Sequence, residues 1–233
     1  SPSILNYSFR EFSSTGKILN FRTQIPLGSL QILWTMENTF SPLSKAYRCK
    51  NQYESFVSLN YLFQSVGDIC YWQRKISDIQ VAVFDHSVDY EKTPPELLIY
   101  TGQLLLKVLY ASIHLQDFPP IAPQKLAWIH LADSWIRKHC AKESEELQPL
   151  QILKYGPKHL SSDEILNPSA LIQEFFQKRS LKKWVKRWNQ FREMAFFNYS
   201  VFDGDEGEYL EDFTYFKKLL EASYLIYVRY STI

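Results

Sequence analysis

A chain of 233 residues can bury most of the surface its unfolded form exposes, as one large domain or two small ones, so no disulfide or metal staple is required. Its 26 Lys and Arg against 25 Asp and Glu create no global field that calls for nucleic acid or an anionic membrane, and any such site must be local. The three cysteines, Cys49, Cys70 and Cys140, are too widely spaced for a disulfide framework or a paired-cysteine metal site, which fits a reducing setting.

An intracellular, cytoplasmic protein is therefore expected, also because no charged segment followed by an apolar one opens the sequence. Asn6-Tyr7-Ser8 and Asn198-Tyr199-Ser200 match the glycosylation acceptor pattern and are expected to stay unmodified. Seven glycines disfavour a turn-rich β fold and leave no Gly-rich loop to cradle a phosphate, so no cofactor is expected. The 6 Trp, 15 Tyr and 16 Phe point to bulky helix packing before any stacking surface.

Residues 4–25 alternate in polarity, with Leu5, Tyr7 and Phe9 in one run, Leu19 and Phe21 in the next, and Ser13-Ser14-Thr15-Gly16 between them. This period of two with turn chemistry predicts an N-terminal β-hairpin, an appendage that needs a body to lie on. Ser29 caps a short helix through Met36, closed by Ser41-Pro42. From Ser44 to about His86, Tyr53, Phe56, Leu59, Leu62, Phe63, Val66, Ile69, Cys70, Trp72, Ile76, Ile79 and Val83 recur at steps of three and four. That spacing predicts one long amphipathic helix or two in line, with Gly67 as the bend and Tyr61 and Tyr71 widening the buried face.

Thr93 to Pro120 is the most apolar helical segment. Thr93-Pro94-Pro95-Glu96 forms a capping box and Asp117-Phe118-Pro119-Pro120 a stop, while Leu97, Tyr100, Leu105, Leu109 and their neighbours surround the axis. A helix apolar all round is buried on every side or crosses a membrane. Lys107 near its middle costs about 2.5 to 3.5 kcal/mol in a bilayer, which cancels several leucines. The expectation is a buried central helix and no transmembrane segment.

Pro123 opens the next helix, to about Lys142, and Gly156-Pro157 breaks the chain. Ser161 and Glu164 make a second capping box for a single turn, and Asn167-Pro168 starts a helix facing inward with Leu171, Ile172, Phe175 and Phe176. The apolar phase slips at Ser180, so a kink or fresh start is expected there, before Leu181, Trp184, Trp188, Phe191 and Ala195. A last helix runs from about Glu208 to Tyr230, with Leu210, Phe213, Phe216, Leu220, Tyr224 and Tyr227 inward. Together these elements predict a mainly α, all-α single helical domain over residues 1–233. Its form is an irregular multi-helix bundle around a buried central helix, with the hairpin at residues 4–25 appended.

No nucleophile elbow, zinc-protease helix, Walker loop or dinucleotide fingerprint occurs, so no catalytic residue is assigned. His130 with Asp133, His139 with Cys140, and His114 with Asp117 lack the spacing of a carboxylate-bridged or zinc ligand set, and no metal is expected. Asp203-Gly204-Asp205-Glu206-Gly207-Glu208 resembles the start of a calcium loop but fails its register, with Glu208 where glycine is needed. Asp85, His86, Asp89 and Glu91 read as a polar connector.

The local signal that stands out is the helix 180–197. One face is apolar. Lys178, Arg179, Lys182, Lys183, Lys186, Arg187 and Arg192 give seven positive charges and no negative one from 178 to 192, and six acids and no base follow from 203 to 212. Such a face suits a protein partner, a nucleic acid or other polyanion, or a membrane surface, unless the acidic stretch neutralises it. The leading expectation is a non-catalytic interaction or scaffold domain for a protein partner. The alternative is a module that binds nucleic acid through helix 180–197, and the third is an enzyme whose side chains converge without leaving a motif.

Overall fold

The computed structural model describes residues 5–12, 18–25, 47–85, 95–120, 156–197 and 206–230. The chain divides into two compact units, Ser1–Tyr47 and Arg48–Ile233. In the first, the backbone of β1 (Leu5–Phe12) pairs antiparallel with β2 (Ile18–Ile25), Leu5 opposite Ile25 and Phe12 opposite Ile18. The helices expected after Ser29 and after Pro123, the connector 87–92, Thr93 of the first capping box, the pairs His130–Asp133 and His139–Cys140, and Asp203 to Asp205 lie outside the described residues.

The second unit is helical among its described residues. Helix α1 (Gln52–Asn60) starts where the Asn51 side chain accepts from the Glu54 N–H at 2.9 Å, and it continues as a π-helical turn, Tyr61–Val66. The chain breaks at Gly67, and Asp68 caps α2 (Ile69–Phe84) by accepting from the Tyr71 N–H at 2.7 Å. The bend expected at Gly67 is present, but its cause is space. Its backbone is extended, and a Cβ there would lie 2.5 Å from Cδ1 of Tyr71. The helix expected from Ser44 begins only at Gln52, because Asn51 fixes its start and its phase. That phase turns Ser55, Phe56, Leu59, Leu62 and Phe63 inward, so Tyr53 (70% exposed) and Tyr61 (40%) face solvent and do not join the core as the apolar count suggested.

Helix α3 (Pro95–Ser112) ends before the stop expected at Asp117-Phe118-Pro119-Pro120, at the point where the Ser112 hydroxyl turns to the Val108 carbonyl and to Ser223 of the last helix. Leu98, Leu104, Leu105, Leu106, Val108 and Leu109 are buried. The expected burial on every side is not met: Leu97 and Tyr100 (52% exposed) lie open near the start, and Gln103 and Lys107 on the face of Tyr100 are half-buried, while the other residues from Thr101 to Ser112 are enclosed.

Helices α4 (Ser162–Leu166) and α5 (Pro168–Lys178) follow the two sequence caps. Ser161 and Glu164 exchange both capping hydrogen bonds, and Asn167 accepts from the Ala170 N–H. Burial pushes the Glu164 carboxyl up, but its bonds to Lys218 and Ser161 outweigh that and hold it below the ordinary range. Its contribution to stability is therefore present above the unfolded carboxyl value and lost as pH falls through the folded one. The phase slip at Ser180 is a true restart: α5 ends at Lys178 and α6 spans Leu181–Phe197. Across the break the Trp184 indole N–H donates to the Phe175 carbonyl at 2.7 Å, and the two rings stack at 4.1 Å.

Helix α7 (Glu206–Tyr230) packs against α5, α2, α3, α1 and α4, and every residue from Leu219 to Val228 is buried. Leu210 is 51% exposed and not inward as expected, because Tyr209, Asp212, Phe213 and Phe216 occupy the enclosed face. Glu221, inside this stretch, accepts from Gln73 Nε2 (2.7 Å), from the Lys158 and His159 backbone N–H groups, and from His159 Nδ1 (2.8 Å), which pins the chain after Gly156–Pro157 to α7.

Helix α3 also packs against α6, and Gly102 marks their close approach. A Cβ at Gly102 would lie 2.9 Å from Cγ of Arg192, and the Trp188 indole N–H donates to the Gly102 carbonyl at 2.7 Å. Ile76, Leu105, Leu109, Trp188, Phe216 and Leu220 are among the side chains that line a small apolar cavity among α2, α3, α6 and α7. Leu109→Ala would enlarge a void that its neighbours already fail to fill, so it is expected to cost about 2 to 5 kcal/mol in a urea melt. A loss below about 0.5 kcal/mol, the range of ordinary surface changes, would place α3 at the periphery.

Candidate functional site: the basic face of helix α6

The apolar face of α6 is sealed. Trp184, Trp188, Phe191 and Ala195 are buried, Trp188 packs on Phe216 at 4.7 Å, and Phe191 stacks on Phe213 at 4.1 Å. An amphipathic helix enters a membrane surface by its apolar face, and here that face is core.

The seven basic residues then separate into three groups. Arg192 is buried; its guanidinium donates to the Asn189 side chain at 3.0 Å and to the Ile99 carbonyl at 3.3 Å, so it joins α6 to α3. Lys178, Arg179 and Arg187 face the start of α7. Lys178 pairs with Glu211, and Arg179 pairs with both Glu208 and Asp212. Arg187 Nη2 lies 2.9 Å from Glu208 Oε1 and its Nε lies 2.9 Å from Asp212 Oδ2, although this last contact is out of line for a hydrogen bond. Each cation also covers an aromatic ring: Lys178 over Tyr215 at 4.2 Å, Arg179 over Trp184 at 4.8 Å and Arg187 over Tyr209 at 4.4 Å. Lys182, Lys183 and Lys186 are exposed, and no ion pair joins them to a described carboxylate.

Asp212 is the enclosed member of this cluster, its side chain 0% exposed. Burial pushes its carboxyl above the ordinary value, against the pull of Arg179 and Arg187. A raised folded value means that the group favours the fold most when protonated, and that this contribution is lost as pH rises through the folded value. The two guanidinium groups are what make the ionised form tolerable. Sequence order alone pointed to an acidic loop opposite the basic helix; Glu208, Glu211 and Asp212 meet it from the first turns of α7.

No group of three or more His, Cys, Asp or Glu converges among the described residues, and no described helix is long and apolar enough to cross a membrane. His114 Nε2 is bonded to the Cys49 carbonyl at 2.7 Å. A second surface feature runs along α1 into the π-helical turn, where Tyr53, Val57 and Tyr61 are exposed at four-residue spacing and the Lys107 ammonium of α3 sits 4.2 Å from the Tyr61 ring centre. The sequence pattern put Tyr53 and Tyr61 on the buried face and did not single out Val57, because the same spacing serves a buried stripe. Compared with protein-family models, with curated proteins and with solved structures, the chain matches none.

The two groups of cations should respond differently to charge removal. Arg187→Gln takes one of two partners from the enclosed Asp212 and is expected to cost about 3 kcal/mol, the low end for breaking a buried pair, in a denaturant melt. Lys182, Lys183 and Lys186 together changed to Gln should stay within about 0.5 kcal/mol of wild type, as exposed positions do. Equal losses for the two variants would contradict the division.

Proposed function

We propose that this chain is an intracellular, cytoplasmic helical interaction domain, an irregular bundle around α3 with residues 4–25 appended, that docks a protein partner on the α1 ridge. The observation that carries this reading is the run Tyr53, Val57, Tyr61, three large side chains held in solvent on successive turns while the opposite face of the same segment is core. Spacings of this kind are the anchors by which a helix enters a partner's apolar groove. Tyrosine is also among the residues enriched at the centres of interfaces, since it buries a ring while its hydroxyl stays hydrated.

Nucleic acid or another polyanion is the second reading, and the exposed Lys182, Lys183 and Lys186 favour it. Magnitude sets it second. At about 1 kcal/mol for each lysine near an anionic surface, three contribute about 3 kcal/mol, which is weaker than the roughly 4 kcal/mol of a millimolar complex. The other four basic residues of the stretch are occupied within the fold.

A photo-crosslinking residue placed at Tyr53 is expected to give a discrete protein adduct in cells that is lost when Val57 and Tyr61 are changed to Ser. The same probe at exposed Thr214 on α7 should give none. Equal labelling from both positions, or an adduct indifferent to Val57 and Tyr61, would overturn the proposal. If the lysines bound duplex DNA instead, log affinity against log salt would have a slope near about −2.7, from three contacts at about 0.9 each.

A further inference from the structure

The exposed ridge that starts on α1 reads the same in both directions. Val57 stands at its centre, with Tyr53 one turn before it and Tyr61 one turn after. At a rise of about 1.5 Å per residue, the two tyrosines lie about 6 Å along the axis on either side of Val57. A two-fold contact needs a surface that is its own complement, in which residue i meets j while j meets i. Laid antiparallel across such an axis, Val57 meets the Val57 of a second copy, and each Tyr53 meets a Tyr61. Ridges at four-residue spacing pack into the groove beside a like ridge, and the small Ser58 leaves such a groove along this one.

The charges beside the ridge select the same arrangement. The Lys107 ammonium lies at the Tyr61 end, 4.2 Å from the ring centre. Glu54 lies at the Tyr53 end, where its carboxylate accepts from the Lys50 N–H at 2.8 Å. Burial pushes the Cys49 thiol up, with Glu54 adding to that shift and Lys107 opposing it, so both charges border the thiol and flank the ridge on its α3 side. A two-fold axis perpendicular to α1 at Val57 reverses the helix and keeps that side, which sets each Lys107 beside the Glu54 of the other copy. Parallel pairing would set lysine against lysine. Lys50, the exposed cation one turn before Tyr53, falls opposite Gln64 in the antiparallel register.

We propose that the partner of the α1 ridge is a second copy of this chain, joined by a two-fold antiparallel contact centred on Val57 with Lys107 and Glu54 of opposite copies paired at each end. This identity for the partner rests on the ridge being a docking surface at all. Standard interfaces bury roughly 800 Å² on each partner, and smaller ones are weak and transient. Three side chains form only the centre of such an area, so the dimer is one that dissociates and not an obligate one.

Sedimentation equilibrium of the full chain is expected to show a monomer–dimer equilibrium with a dissociation constant between about 1 µM and 1 mM. Val57→Glu and Val57→Lys should each weaken it by about a hundredfold, because the axis sets like charges face to face. Mixed in equal amounts, the two variants should associate again, since opposite charges restore only a contact in which position 57 meets itself. Should a charge at 57 prevent folding, Lys107→Glu, which weakens association, and Lys107→Glu combined with Glu54→Lys, which restores it, carry the same test. A wild type that stays monomeric at about 1 mM, the weak end of that range, or opposite charges that restore nothing, would overturn the proposal. A photo-crosslinker at Tyr53 should give, in the purified chain, an adduct of twice the chain's mass that is lost when Val57 and Tyr61 are changed to Ser. If the purified chain gives none while cells give a discrete adduct of another mass, the second copy is overturned and the docking surface stands; if neither gives one, both fall.

Discussion

Helix α6 can lie against α3 because position 102 has no side chain. The absence of a Cβ admits the stem of Arg192, and the same close approach brings the Trp188 indole N–H to the Gly102 carbonyl. Glycine inside a helix costs roughly 1 kcal/mol relative to alanine. What offsets it is a tryptophan with both its ring and its donor satisfied in the core, as a buried indole requires. Once Trp188 is fixed there, Trp184, Phe191 and Ala195 are committed to the interior by helical periodicity, and the basic residues other than Arg192 face outward or toward α7.

That commitment changes the meaning of the charge run. In the sequence it is seven cations beside a tryptophan stripe, a pattern shared by surface helices of several functions. In the fold, Arg192 becomes a bolt between α6 and α3, and Arg179 and Arg187 become counter-ions for an enclosed Asp212. Their rings beneath, Trp184 and Tyr209, give those guanidinium groups an apolar support that water would not. Three lysines are left facing solvent, so less than half of the seven positive charges between 178 and 192 reach outward.

Local features of the helical unit were legible in the sequence, and distant ones were not. The Ser161–Glu164 capping box, the Asn167-Pro168 start and the restart at Ser180 each depend on contacts within four residues or on a phase read along one helix. The bend at Gly67 was visible too, but not its reason, because the ring of Tyr71 over that position is a matter of rotamer and packing. The errors of burial share one cause. Tyr53, Tyr61, Tyr100 and Leu210 are apolar enough to be core, and residue type does not say on which side a neighbouring helix will lie. The His159–Glu221 contact joins positions 62 apart, and Trp188–Gly102 positions 86 apart; no local pattern announces either. Asp212 looked like one acid among six until the fold placed two arginines on it.

The claim on which the rest depends is that the α3–α6 contact at Gly102 holds α6 in the core, and the indole proton of Trp188 reports on it directly. In the wild type its hydrogen exchange should be as slow as that of the best-protected backbone amides of α7, since opening it requires separating two packed helices. In Gly102→Val, whose side chain occupies the space of Arg192, that proton should exchange with the fast class while the amides of α5 and α7 keep most of their protection. An indole proton equally protected in both proteins would contradict the account.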